Sequence, residues 1–118
     1  MTVARLLAVQ LTQEQISLLI KNVVDDFSEI PGLLSIILFG SACAGTMTNA
    51  SDLDVVLLFE TESAAGYARR NIGTYRIKSI WPMDLLCVDR ATFERKSKIG
   101  GIYFVARDEG RVIFGRCL

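Results

Sequence analysis

Two short apolar runs constrain this chain more than any other feature. The first is Leu33-Leu34-Ser35-Ile36-Ile37-Leu38-Phe39. The second, Val55-Val56-Leu57-Leu58-Phe59, is entered through Asp52-Leu53-Asp54. Both are continuous rather than alternating. Pro31-Gly32 and Gly40-Ser41 bound the first, and both read as strands buried on two faces. Strands of that kind need helices above and below them, which points to an α/β protein.

The intervening segments supply the helices. Ile16, Leu19, Ile20, Val23, Val24 and Phe27 recur at helical spacing over residues 12–29. Thr12 and Gln15 fit a capping box, Leu11 can staple to Ile16, and Pro31-Gly32 stops the helix. Residues 42–51 are small and polar and suit a short helical turn followed by a loop. Residues 62–79 predict a helix with Ala64, Ala68, Ile72 and Tyr75 on one face, although Gly73 and the alternation around Tyr75-Arg76-Ile77-Lys78 also allow an extended end. Trp81-Pro82 breaks the chain before a third strand, Met83-Asp84-Leu85-Leu86-Cys87-Val88. Thr92 is placed to cap a helix through roughly residue 106, interrupted at Gly100-Gly101. Asp108-Glu109-Gly110 reads as a turn and Arg111-Val112-Ile113-Phe114 as a last short strand. The order α-β-(short α)-β-α-β-α-β describes helices packed on a small mixed sheet, an α/β (α+β) arrangement. A length of 118 residues predicts a single domain over 1–118 with a core that needs no staples.

Composition removes several classes of chemistry. Lys and Arg together number 13, as do Asp and Glu, so bulk charge gives no reason to bind duplex nucleic acid. Histidine is absent, which excludes an imidazole base and His-ligated zinc within this chain. Acid–base or metal chemistry must use carboxylates. Cys43, Cys87 and Cys117 are odd in number and widely spaced, neither a disulfide framework nor a zinc pattern, and imply a reducing compartment. The stretch Leu6-Leu7-Ala8-Val9 is too short for a secretory core, and Leu33–Phe39 falls far below the ~20 residues of a spanning helix. The expectation is a cytoplasmic protein with no membrane association.

The chemistry concentrates in Phe39-Gly40-Ser41, ten further residues, and Asp52-Leu53-Asp54. In a strand, residues i and i+2 share a face ~6.6 Å apart, so the two carboxylates can converge on one cation. Hard cations such as Mg²⁺ take oxygen ligands. Asp54 stands at the entrance to a buried run with no basic neighbour in sequence, a setting that asks for a partner. Gly40 allows a sharp turn and a close ligand approach, Ser41 offers a hydroxyl near the N–H groups of a helical turn, and Gly45 keeps the loop tight. Asp84 is an acid inside an apolar strand, on one face with Leu86 and Val88. Each feature also has a plainer reading: Ser51-Asp52 as a turn, Gly40-Ser41 as an ordinary strand-to-helix connection, Asp84 as an edge-strand acid facing water. If the Asp84 strand lies beside the Asp52–Asp54 strand, three acids gather at one end of the sheet.

Gly40-Ser41, the ten-residue spacer, Asp52-x-Asp54 and the later Asp84 resemble the nucleotidyltransferase fold of the DNA polymerase β type. The likeness is greatest to its small stand-alone members, the minimal nucleotidyltransferases, many of which are the antitoxin partners of HEPN toxins. It covers roughly residues 14–115. It implies that Asp52, Asp54 and Asp84 are catalytic residues holding one or two Mg²⁺ ions, with Asp84 helping to activate the attacking hydroxyl. It implies that Gly40 and Ser41, with Gly45 closing the loop, bind a nucleoside triphosphate. The implied activity is transfer of a nucleotidyl group, AMP from ATP, to a hydroxyl such as a tyrosine of a HEPN-type toxin. The pattern departs from the family at Ala42-Cys43-Ala44, where basic residues are common. Arg69, Arg70, Arg76 or Lys78 could compensate, and their plain reading is a solvated helix face. A non-catalytic antitoxin of the same fold, or a small-molecule nucleotidyltransferase acting as a homodimer, are the competing readings. Trp81 could stack on a base but reads better as cover over the sheet. Cys87, Phe93 and Tyr103 read as core, Cys43 has no charged neighbour to activate it, and nothing singles out one tyrosine for modification.

Overall fold

The computed structural model describes residues 8–115. Leu6, Leu7 and Cys117 lie outside them. Helix α1 (Gln13–Phe27) begins with the expected capping box: the Thr12 hydroxyl accepts from the Gln15 N–H at 3.1 Å, and the Gln15 side chain accepts from the Thr12 N–H at 2.8 Å. Strand β1 (Leu33–Phe39) leads into a single turn of helix, α2 (Ser41–Ala44). Strand β2 (Leu53–Phe59), helix α3 (Glu62–Tyr75) and strand β3 (Met83–Asp89) form a β-α-β crossover with β2 and β3 parallel. Helices α4 (Arg90–Ser97) and α5 (Gly101–Glu109) follow, then strand β4 (Arg111–Gly115).

The sheet order is β3-β2-β1-β4, and β1 runs antiparallel to both neighbours. The sheet is mixed, as expected. Alternation along the strands splits the core in two. Leu53, Val55, Leu57 and Phe59 face one side with Ile36, Leu38, Val23 and Phe27 under α1 and α3. Val56, Leu58, Ile37, Phe39 and Val88 face the other side with Phe93 and Ala106 under α4 and α5. This two-sided cover is why the strands read as unbroken apolar runs. Among the described residues no helix is long and apolar enough to cross a membrane.

Three helix boundaries differ from expectation. Helix α3 runs through Gly73 and stops at Tyr75, short of residue 79, and the chain turns extended at Arg76, the end that the alternation around Tyr75-Arg76-Ile77-Lys78 allows. The Asp26 carboxylate of α1 accepts the N–H groups of Ile77, Lys78 and Ser79 at 2.7–3.0 Å, so these amides are drawn away from helical carbonyls. The helix expected over 92–106 is two helices. Asp89 caps the first, accepting from the Thr92 N–H at 3.1 Å, so Thr92 is inside the helix and not its cap. Gly100 and Gly101 turn the chain at φ 120° and 69°, and the second helix extends through Asp108 and Glu109, which sequence spacing assigns to a turn.

Candidate active site

Strand register builds a corner at one end of the sheet. Phe39, the last residue of β1, pairs with Asp54, and Asp54 pairs in turn with Asp84 across the parallel β2–β3 ladder. Register partners on neighbouring strands point to the same face, ~4.8 Å apart. Asp54 and Asp84 therefore share the face of Val56, Leu86 and Val88, the side covered further along by α4 and α5. Asp52 precedes β2 by one residue. Asp54 is half-buried, while Asp52 and Asp84 are exposed.

Gly40 closes the corner. Its backbone lies at φ 71°, ψ −151°, a region that residues with a Cβ essentially do not enter. A Cβ built there would fall 3.1 Å from Asp54 Cγ and closer still to Oδ2. Glycine is required twice over, by conformation and by the Asp54 carboxylate. The chain then winds into α2. The first N–H groups of a helical turn have no carbonyl within it, and here they follow directly on Gly40. Gly45 ends the turn in the left-handed region at φ 77°, its N–H donating to the Ser41 carbonyl. A groove of about 390 Å³ flanked by Gly40, Cys43, Ala44 and Glu109 opens on this side of the corner. The Cys43 thiol donates to the Glu109 carbonyl at 3.3 Å, tying α2 to the end of α5.

Burial, then the negative charges of Asp84 and Asp52, together with a hydrogen bond to Asp84, push the Asp54 carboxyl above the ordinary carboxylate range. Among the described residues the ion pairs are Lys21–Asp25, Lys78–Asp25, Arg69–Glu62 and Arg90–Glu60, none of which reaches this corner. The donor set is thus all oxygen, negatively charged and without a basic partner. That suits a hard divalent cation. The side chains are not drawn in around a single point, for among the described residues no three acids, cysteines or histidines converge as a closed metal cage. The fit lies in donor chemistry and placement.

Three of the four basic residues that could have replaced the missing charge at 42–44 have other attachments. Arg69 donates to the Cys87 carbonyl at 3.1 Å and pairs with Glu62 at 2.8 Å. Arg76 donates to the Ser79 and Trp81 carbonyls, and Lys78 pairs with Asp25. Arg70 lies along its own helix beside Gly66. Cys87 is buried, and burial raises its thiol to about 11. Phe93 is buried, with Tyr103 packed edge-on against it. Sequence reasoning did not single out Asp26. Its signal is an acid three residues after buried Val23, on the buried side of the helix. Trp81 does cover the sheet, packing against the α1–α3 core.

A β-α-β crossover with an antiparallel strand beside it, a glycine turn and paired acids at one sheet end characterise this α/β domain. The family model "Nucleotidyltransferase domain" matches residues 20–113, and the chain belongs to that family. Among solved structures, a Sulfolobus solfataricus protein described as a nucleotidyltransferase is similar at 19% identity, with a TM-score of 0.54 over 87% of this chain and 82% of that one. A weaker likeness, TM-score 0.46 at 18% identity over 86% of this chain and 73% of that one, is to the complex of a tri-AMPylated Shewanella oneidensis HEPN toxin with its MNT antitoxin. A toxin–antitoxin complex with AMP-PNP gives 0.48 at 19% identity over 82% and 73% of the two chains. The comparison with curated proteins found no match.

Proposed function

We propose that this domain transfers AMP from ATP to a hydroxyl group in a Mg²⁺-dependent reaction, the hydroxyl oxygen displacing pyrophosphate at the α-phosphate, and that the acceptor is a tyrosine on a HEPN-type protein partner. One observation carries the reading: Asp54 and Asp84 are register partners beside a glycine that has no room for a Cβ against Asp54. Structural needs alone do not call for two acids facing each other with no base between them. Asp52, Asp54 and Asp84 would hold the cation, and Asp84, exposed at the sheet edge, would also take the proton of the attacking hydroxyl. A divalent cation bound there supplies charge neutralisation at the α-phosphate. Gly40, Ser41 and the amides that follow face the phosphates, with Gly45 keeping the turn short. The free thiols of Cys43 and Cys87 agree with a reducing, cytoplasmic setting.

The test is to incubate the protein with a HEPN-type partner, ATP and Mg²⁺, and to read AMP addition by intact mass. Wild type adds AMP, and Asp54→Asn does not. AMP addition by Asp54→Asn would remove this assignment. One observation favours a second reading. Residues 42–44 carry no charge, and Arg69, Arg76 and Lys78 are engaged elsewhere. A binder that inhibits by occupying its partner's surface needs no triphosphate grip. Under that reading Asp54→Asn neutralises the partner as well as wild type does, and neither adds AMP.

A further inference from the structure

Asp52 lies outside the strand ladder. The β2–β3 pairing begins at Leu53–Met83, so nothing in the sheet itself aims the Asp52 side chain. Two hydrogen bonds do. The Trp81 indole N–H donates to the Ser51 carbonyl at 2.8 Å. The Leu53 N–H donates to the Pro82 carbonyl at 2.9 Å. The Ser51 carbonyl belongs to the peptide group before the Asp52 Cα, and the Leu53 N–H to the one after it. Fixing both peptide planes fixes the backbone dihedrals of Asp52 and hence the direction of its Cβ. Both anchors lie just before Asp84 in the chain, so they tie Asp52 to Asp84 as well as to the loop.

The anchoring segment is itself held from behind. The Asp26 carboxylate takes three successive N–H groups, from Ile77, Lys78 and Ser79. The Arg76 guanidinium donates to the Ser79 and Trp81 carbonyls at 2.6 and 2.5 Å. On the Asp52 side, the Ser51 hydroxyl accepts from the Thr48 N–H at 2.9 Å, which closes the loop before it. The Trp81 ring packs with Met83 and Leu85 on the α1–α3 face, opposite Asp54 and Asp84.

We propose that Trp81 and Pro82 form a clamp that sets Asp52 relative to Asp84, and that Trp81 is a positioning residue for the cation site. The proposal rests on the reading of Asp52, Asp54 and Asp84 as that site. Trp81 acts only through the Ser51 carbonyl. Removing the N–H while keeping the ring releases one of the two peptide planes and leaves the core packed.

The probe is Mn²⁺ alone, titrated calorimetrically, with folding followed by circular dichroism. Two replacements are compared: Trp81→Phe, and benzothienylalanine at position 81, which exchanges only the ring N–H for sulfur. Loss of one ordinary hydrogen bond from the site corresponds to roughly fivefold weaker Mn²⁺ binding. Both replacements are expected to show that loss to the same extent, although the isostere, which keeps the full ring, melts closer to wild type than Trp81→Phe does. Asp54→Asn serves as the reference and abolishes binding. Wild-type affinity in the isostere overturns the clamp while leaving the cation site standing. Weakened binding that tracks a fall in melting temperature across both replacements also overturns it, because stability alone then explains the effect. Mn²⁺ binding by wild type that is absent, or indifferent to Asp54→Asn, overturns the site reading and the clamp with it.

Discussion

Removing the charge of Asp54 is expected to make the cation-free protein more stable. Burial and the neighbouring charges of Asp84 and Asp52 hold the folded Asp54 carboxyl above its reference value of 3.8. Between the unfolded and folded values the native state binds more protons. Stability therefore falls as pH rises through that window, and the full cost stands above the folded value. Two carboxylates one strand spacing apart, ~4.8 Å, repel by about 1 kcal/mol in a water-like medium and about 3.5 kcal/mol at an effective dielectric constant of ~20. Asp52 and Asp84 are exposed, so the lower figure applies. Asparagine keeps the shape that Gly40 requires and cancels the repulsion. About 1 kcal/mol raises the melting temperature of a domain this size by about 4 °C. The assay is thermal unfolding of wild type and Asp54→Asn by circular dichroism above pH 7, in EDTA and then in excess Mg²⁺. Asp54→Asn melts higher in EDTA. Mg²⁺ raises wild type alone and narrows or reverses the difference. A lower melting temperature for Asp54→Asn in EDTA would refute the reasoning, because it would mean the charge is already compensated within the fold.

Three further outcomes are expected. Gly40→Ala costs ~1–3 kcal/mol from its backbone conformation alone and displaces Asp54 besides, so it lowers the melting temperature and abolishes nucleotide binding together. Asp26 works with the opposite sign to Asp54. Burial would raise its carboxyl, but the N–H groups of Lys78, Ser79 and Ile77 outweigh that and lower it. Its contribution is complete above the reference value near 3.8 and is lost as pH falls through the lowered folded value. Asp26→Asn should cost about 1–3 kcal/mol at neutral pH and flatten the acid limb of the stability profile measured by urea unfolding. Cys87, raised to about 11 by burial, should stay unmodified by a maleimide at pH 8 in the native protein and react on unfolding, as read by peptide mass mapping.

The strands were legible because their two-sided burial leaves no polar interruptions, and the first helix because its cap and its apolar face agree. The helix after β2 was overextended because its stop is tertiary. Asp26, some fifty residues upstream, captures the amides that would have continued it. The split of the helices after β3 was visible in Gly100-Gly101, but the cap was misplaced because Asp89 reads as the end of a strand. Asp52, Asp54, Asp84 and Gly40 could be nominated from sequence because acids and glycines at the ends of apolar strands are conspicuous. That Asp54 and Asp84 are register partners needed the parallel β2–β3 ladder. The attachments of Trp81 to Ser51 and of Arg69 to Cys87 depend on long-range geometry, which a local pattern does not carry.

The central claim is that the Asp52–Asp54–Asp84 corner binds a nucleoside triphosphate together with a divalent cation. Its most direct test is thermal unfolding of wild type and Asp52→Asn in ATP, with and without Mg²⁺. ATP at ~100 times its dissociation constant adds about 2.7 kcal/mol, a shift of several degrees for this domain. That shift is expected for wild type only when Mg²⁺ is present, and is expected to vanish in Asp52→Asn. A shift of equal size without Mg²⁺, or one that Asp52→Asn retains, would contradict it.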